Sequence, residues 1–185
     1  HVSKGRIGWN IVTTWSVLAA QNFGDHHQIS HADRYIRAEE YLAVAKALWD
    51  SWSDDSIVDD RAAGLYARRE SIRPVDHSGE YYSVAGPLNV PRCPQGRPVL
   101  VQAGSSDTGR DFAARHAEAV FTAHLEMKTA VDFYKDLKSR AKVHGRDPCS
   151  VIILPGFSPI IAGTEAEATQ AAQELNELAN VEVGR

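Results

Sequence analysis

The chain has 185 residues, 43% hydrophobic and 24% charged, with a formal net charge of −4 at neutral pH. That balance suits one globular α/β domain and offers no basic field for nucleic acid or anionic lipid. No apolar run approaches the roughly 18 residues of a membrane span, so no membrane partner is expected. No charged segment followed by an apolar one opens the chain, and Cys93 and Cys149 are too isolated for a disulfide framework. A cytoplasmic protein is the expectation. The first residue is His1 rather than Met, and the text begins abruptly, which reads as a segment of a longer polypeptide.

Residues 7–13 form a short β-branched run after Gly5, predicting a buried parallel strand. Residues 16–31 hold Gln21, Asn22, Gly24, Asp25 and three histidines, and read as a loop. From about 32 to 52, Ala38, Tyr41, Leu42, Ala45, Leu48, Trp49 and Trp52 recur at spacings of three and four, predicting a helix. The stretch from about 54 to 98 is different. It carries Pro74, Pro87, Pro91, Pro94 and Pro98 and is broken by Gly64, Gly79, Gly86 and Gly96. A functional insertion or lid is expected there, with a turn at 76–79 leading into a strand at 81–84.

A regular beat follows. Residues 98–103 predict a strand, 104–109 a loop, 110–117 a helix, 119–123 a strand and 127–144 a helix closed by Gly145. Residues 151–154 predict a fourth strand, and 164–179 a helix opened by a capping box of Thr164 and Glu167. Four strands, each followed by a helix, imply parallel pairing through right-handed crossovers. Two architectures fit: a doubly wound open sheet, or about half of a (β/α)8 TIM barrel, which needs about 250 residues when complete.

In both, ligands gather at the carboxyl ends of the strands. The candidates there are Asn10, Thr13 and Thr14, then Ser105 and Ser106, then His124. The strongest local pattern is the turn Gly104-Ser105-Ser106-Asp107-Thr108-Gly109, which runs from a strand into a helix start. Free N–H groups and the positive end of the helix dipole suit a phosphate, and glycine lets the backbone come close. The plainer alternative is a serine that only caps the helix.

His26, His27 and His31 lack a carboxylate at helical spacing, so no metal site is expected. His31 and Tyr35 share one face of a helix start, where they suit a phosphate or ribityl chain; a cap and a core tyrosine are the plainer reading. Trp9 and Trp15 suggest an aromatic platform, whereas Trp49 and Trp52 sit at core spacing. No nucleophile triad and no carboxylate pair is legible, so catalytic residues stay unassigned.

Several blocks together resemble one family. They are Gly8-Trp9-Asn10-Ile11-Val12-Thr13-Thr14, Asn22-Phe23-Gly24, and His31 with Tyr35-Ile36-Arg37-Ala38-Glu39-Glu40. Leu48-Trp49-Asp50-Ser51-Trp52, Gly86-Pro87-Leu88-Asn89, Pro94-Gln95-Gly96 and Gln102-Ala103-Gly104-Ser105-Ser106 continue the series. In this order they resemble the flavin-dependent monooxygenases of the nitrilotriacetate monooxygenase component A type, within the bacterial luciferase-like superfamily.

The resemblance implies a (β/α)8 barrel, with residues 1–185 as a partial barrel domain and 54–98 as its insertion. It implies reduced FMN as cofactor, supplied by a separate NAD(P)H-dependent flavin reductase. It implies that O2 is used through a flavin C4a-(hydro)peroxide to oxygenate a small organic substrate, such as an aminopolycarboxylate, a sulfone or an alkane. A homo-oligomer is implied for the full-length protein. Carried over by position, His31, Tyr35, Ser106 and Ser105 match the flavin-phosphate contacts, and Asn10 and Thr13 the strand end beside the ring. Thr14 stands where relatives commonly have serine, and His124 where they have glutamine. Two other readings remain: a deazaflavin-dependent enzyme on the same barrel, and a non-catalytic phosphate-ligand binder. The isolated segment is expected to be inactive, because a half barrel leaves sheet edges unpaired.

Overall fold

The computed structural model describes residues 2–14, 16–24, 27 and 29–178. The elements run β1 (Gly8–Asn10), α1 (Val17–Gln21), α2 (His31–Trp49), β2 (Ile57–Asp60), β3 (Leu65–Ala67), β4 (His77–Ser78) and β5 (Ser83–Val84). They continue β6 (Val99–Gln102), α3 (Asp107–His116), β7 (Ala119–Thr122), α4 (Met127–Val143), β8 (Ile152–Pro155) and α5 (Glu165–Leu178).

Four helix boundaries have a local cause. Ser30 caps α2 by accepting the Asp33 N–H at 3.1 Å, and Ser106 caps α3 by accepting the Gly109 N–H at 3.1 Å. Gly145 ends α4 at φ +72°, a conformation that favours glycine, and Arg146 N–H closes back on the Ala141 carbonyl at 2.9 Å. Thr164 accepts the Glu167 N–H, as the capping box requires.

Several boundaries differ from the sequence expectation, and two of the differences have a visible cause. The segment expected to be a loop at 16–31 contains α1, whose first turn is capped by the Ser16 hydroxyl. The long helix stops at Trp49 instead of continuing to 52 because the insertion captures its end. Ser51 Oγ donates to the Leu48 carbonyl at 2.6 Å and accepts the Leu88 N–H at 3.0 Å, while Trp52 Nε1 donates to the Leu88 carbonyl at 2.7 Å.

β1, β6, β7 and β8 form one sheet in that spatial order, and every pair is parallel. The order decides between the two architectures. A doubly wound sheet reverses direction at a switch point and covers both faces with helices. Here the strands advance without reversal, and only one face is covered. Val120, with Val151 just before β8, is fully buried against Ala113, Phe133, Leu137 and Ala141 of α3 and α4. Their alternation partners Phe121 and Leu154 remain 49% and 48% exposed. A one-sided, steadily advancing parallel sheet is an arc of a (β/α)8 barrel, with helices outside and an inner face turned to the axis.

A second buried cluster joins Ile11, Tyr35, Leu42, Leu100 and Phe112, which seats α2 over β1 and β6. The insertion contains two small antiparallel hairpins, β2–β3 and β4–β5. Glu40 holds the second hairpin: its carboxylate accepts the N–H groups of Tyr81 and Tyr82 and meets His77 Nε2, each at 2.9 Å.

Candidate anion-binding cleft

The carboxyl ends of β1 and β6 open into a cleft of about 230 Å³ lined by residues 11–14, His31, Arg34, Tyr35 and 102–104. A larger cavity of about 410 Å³ adjoins it along residues 11–14 and Arg34, and adds Asn10, Tyr41 and Tyr82. The two share a wall because the chain leaving β1 runs across both. Arg34 fixes that wall, its Nη1 donating to the Thr14 carbonyl at 2.6 Å.

The structure brings His31 and Ser106 together across 75 residues. His31 Nε2 and Ser106 Oγ share a hydrogen bond of 3.2 Å. The His31 ring lies 5.1 Å from that of Tyr35, which packs edge-on to Phe112 at 5.5 Å. The plainer readings hold in part: Ser106 does cap α3 and Tyr35 is buried in the core, but Ser30 rather than His31 caps α2. Neither role occupies the whole group. Ser106 Oγ faces His31 as well as Gly109, and Tyr35 lines the cleft.

The start of α3 supplies further donors. Gly109 N–H bonds Ser106 Oγ and Arg110 N–H bonds the Ser106 carbonyl, so the N–H groups of Asp107 and Thr108 have no acceptor within the helix. The Asp107 carboxylate is drawn toward α4, where it accepts Arg140 Nη2 at 2.6 Å. Ser105 is exposed on the turn. Gly104 and Gly109 close over the Tyr35 hydroxyl; a Cβ on either would stand 2.7 Å from that oxygen. The turn is therefore rich in donors and tolerates no bulk.

Among the described residues no hydrogen bond joins Asn10 or Thr13 to His31 or Ser106. Asn10 lies at the exposed end of β1 in the larger cavity, and Thr13 borders both cavities. His124 is directed elsewhere: its Nε2 meets Thr122 Oγ1 at 2.8 Å and its ring packs 5.2 Å from Phe133 of α4. Trp9 is not a free platform either, since it packs edge-on to Tyr41 and Trp49. His27 is exposed, and Trp15 and His26 lie outside the described residues. Among the described residues no group of three metal-ligating side chains exists, and no helix is long and apolar enough to cross a membrane.

Sequence reasoning missed Gln102. It is 2% exposed at the last position of β6, and its amide lies between Gly104 and Tyr35. A polar residue ending an otherwise apolar strand was the available signal.

A model of the luciferase-like monooxygenases matches residues 1–183. The chain belongs to that family. It is 45% identical over 184 residues to N-acetyl-S-(2-succino)cysteine monooxygenase of Bacillus subtilis (strain 168), covering 100% of this chain and 42% of that protein. It is 44% identical over 184 residues to nitrilotriacetate monooxygenase component A of Aminobacter aminovorans, covering 100% of this chain and 41% of that protein. A crystal structure of riboflavin lyase with modified FMN and riboflavin superposes with a TM-score of 0.88 at 37% identity, over 96% of this chain and 40% of that one. The chain thus spans about two fifths of the length of these luciferase-like relatives, in keeping with a partial barrel.

Proposed function

We propose that the polypeptide carrying this segment is a flavin-dependent monooxygenase that binds reduced FMN across the cleft and acts on a small organic substrate. One observation carries the reading: His31, Tyr35 and Ser106 converge with the free N–H groups at the start of α3, and among the described residues no carboxylate lines the cleft. A phosphate monoester fits that donor set. Backbone N–H groups, two hydroxyls and an imidazole match its oxygens, and the helix dipole favours its charge. Gly104 and Gly109 leave room for the Tyr35 hydroxyl beside it.

From the phosphate, the shared wall of residues 11–14 leads toward Asn10 and Thr13, which are placed to flank the flavin ring. Bound reduced flavin supplies the activation of O2 and the transfer of one oxygen atom to the substrate. The chain's own part is to anchor the phosphate and to keep the wall in register through Arg34 and the Thr14 carbonyl. Tyr82, delivered by the β4–β5 hairpin, is the insertion's contribution to the larger cavity, so the insertion helps to shape the substrate side. Exchanging 54–98 between relatives should change substrate preference; an unchanged preference refutes that role.

A relative named as component A of a monooxygenase supports a separate partner. We assign that partner as an NAD(P)H-dependent flavin reductase that delivers reduced FMN. The test is anaerobic titration of reduced FMN into the barrel completed by its native flanking sequence. Tight, saturable binding followed by reductase-dependent oxygen uptake is the expected result. A folded, complete protein that does not bind reduced FMN refutes the reading.

A further inference from the structure

We infer that Gln102 is a positioning residue that sets the direction of the Tyr35 hydroxyl, turning it into a donor for the ligand's phosphate. The inference rests on the phosphate site proposed above and adds a residue that acts through Tyr35.

The argument is one of hydrogen-bond polarity. The Gly104 N–H can only donate, so the end of the Gln102 amide that meets it is the carbonyl Oε1. The other end, Nε2, can only donate, and it faces the Tyr35 oxygen at 3.4 Å. The phenol oxygen is therefore an acceptor inside the turn, and its own proton is left over. Among the described residues no acceptor takes that proton, while the ring borders the cleft. A buried hydroxyl with a free proton is favoured next to an anion and disfavoured next to a second donor. The chain of polarity runs from the Gly104 N–H through the Gln102 amide and the Tyr35 hydroxyl to the ligand.

Packing keeps the chain from reversing. Gln102 is 2% exposed, and the Tyr35 oxygen is held between Gly104 and Gly109. The amide cannot flip without opposing its NH2 to the Gly104 N–H. Glutamine meets this demand because it carries an acceptor and a donor on one rigid plane; leucine supplies neither, and glutamate supplies two acceptors.

The test compares affinities of reduced FMN and reduced riboflavin, measured anaerobically on the barrel completed by its flanking sequence. The two ligands differ by the phosphate, so their affinity ratio isolates this site from the ring site and from general folding damage. Gln102→Leu and Tyr35→Phe should each cut the FMN preference by roughly tenfold, the value of one hydrogen bond to a charged group. The double variant should cut it no further, because both changes remove the same donor. Gln102→Glu keeps the volume and reverses the phenol, and should lower the ratio at least as far as Gln102→Leu. An unchanged ratio in Gln102→Leu and Gln102→Glu, with wild type still preferring FMN, overturns the inference alone. A wild type with no preference for FMN overturns the phosphate reading and the inference with it.

Discussion

The two ends of the parallel sheet use similar residue types in opposite ways. At the amino ends, polar groups are occupied by one another. Gln95 accepts the Ile7 N–H at 3.1 Å and donates to the Ile7 carbonyl at 2.9 Å, which locks the entry to β1. Glu118 accepts the Leu100 N–H at 2.9 Å, and Asp50 receives Arg92 at 2.6 Å and Arg97 at 2.7 Å. At the carboxyl ends, the start of α3, Ser106, His31 and Tyr35 retain capacity that no other described residue takes up. Saturated donors hold a fold together, whereas convergent, unsaturated donors await a ligand. The division is the one expected of a barrel, whose bottom serves stability and whose top serves chemistry.

The comparison is open to attack by mutation. The largest effect should come from Leu137→Ala, which empties a fully buried position between α4 and the sheet and supports both ends at once. It should cost about 2–5 kcal/mol in denaturant unfolding and weaken flavin binding only through loss of fold. Next come Ser106→Ala and His31→Ala at the carboxyl end. Each should weaken reduced-FMN affinity by about 1–3 kcal/mol if a charge-assisted bond is lost, as read by anaerobic titration. Ser106→Ala should also lower stability by about 1 kcal/mol, because the α3 cap goes with it.

At the amino end, Asp50→Ala removes the shared carboxylate of Arg92 and Arg97. It should lower stability by about 1 kcal/mol or less, since these ion pairs are partly exposed, and leave the FMN dissociation constant unchanged. A flavin effect of Asp50→Ala as large as that of Ser106→Ala would erase the distinction between the two ends.

The smallest effect concerns pH and the hairpin clamp. The His77 hydrogen bond chiefly, helped by the Tyr81 and Tyr82 N–H groups, holds Glu40 below the ordinary glutamate range against the opposing effect of burial. A carboxylate lowered in the folded state stabilises that state fully above the unfolded glutamate range, and the contribution fades as pH falls through the lowered folded value. The stability difference between wild type and Glu40→Gln should therefore be present at neutral pH and shrink in acid. A difference that grows on acidification contradicts the clamp.

Much of this was legible in the residues, and the exceptions have physical causes. The four strands and their helices follow from apolar runs and periodic faces, which depend on neighbours in sequence. The stop of α2 at Trp49 was not legible, because its cause is Leu88 of the insertion, far along the chain. The five-residue α1 was hidden by the polar composition around it; only its Ser16 cap marks it. At the site, strand-end position marks Ser106, a shared face of a helix start marks His31 and Tyr35, and the family blocks contain all three. Gln102 escaped because a buried polar residue on a strand has meaning only beside its partners.

By itself the sequence determined an alternating parallel α/β chain, a glycine and serine turn suited to an anion, and membership of a monooxygenase family. Local propensity, capping and motif spacing carry that information. Only the tertiary structure decided that the sheet advances as an arc of a barrel, since strand order rests on pairings such as Asn10 with Val101. It also decided that His31 meets Ser106 and that Gln102 meets Tyr35. Those encounters exist because α2, packed over β1 and β6, brings residues some seventy positions apart within hydrogen-bond reach, and no local rule of sequence contains that distance.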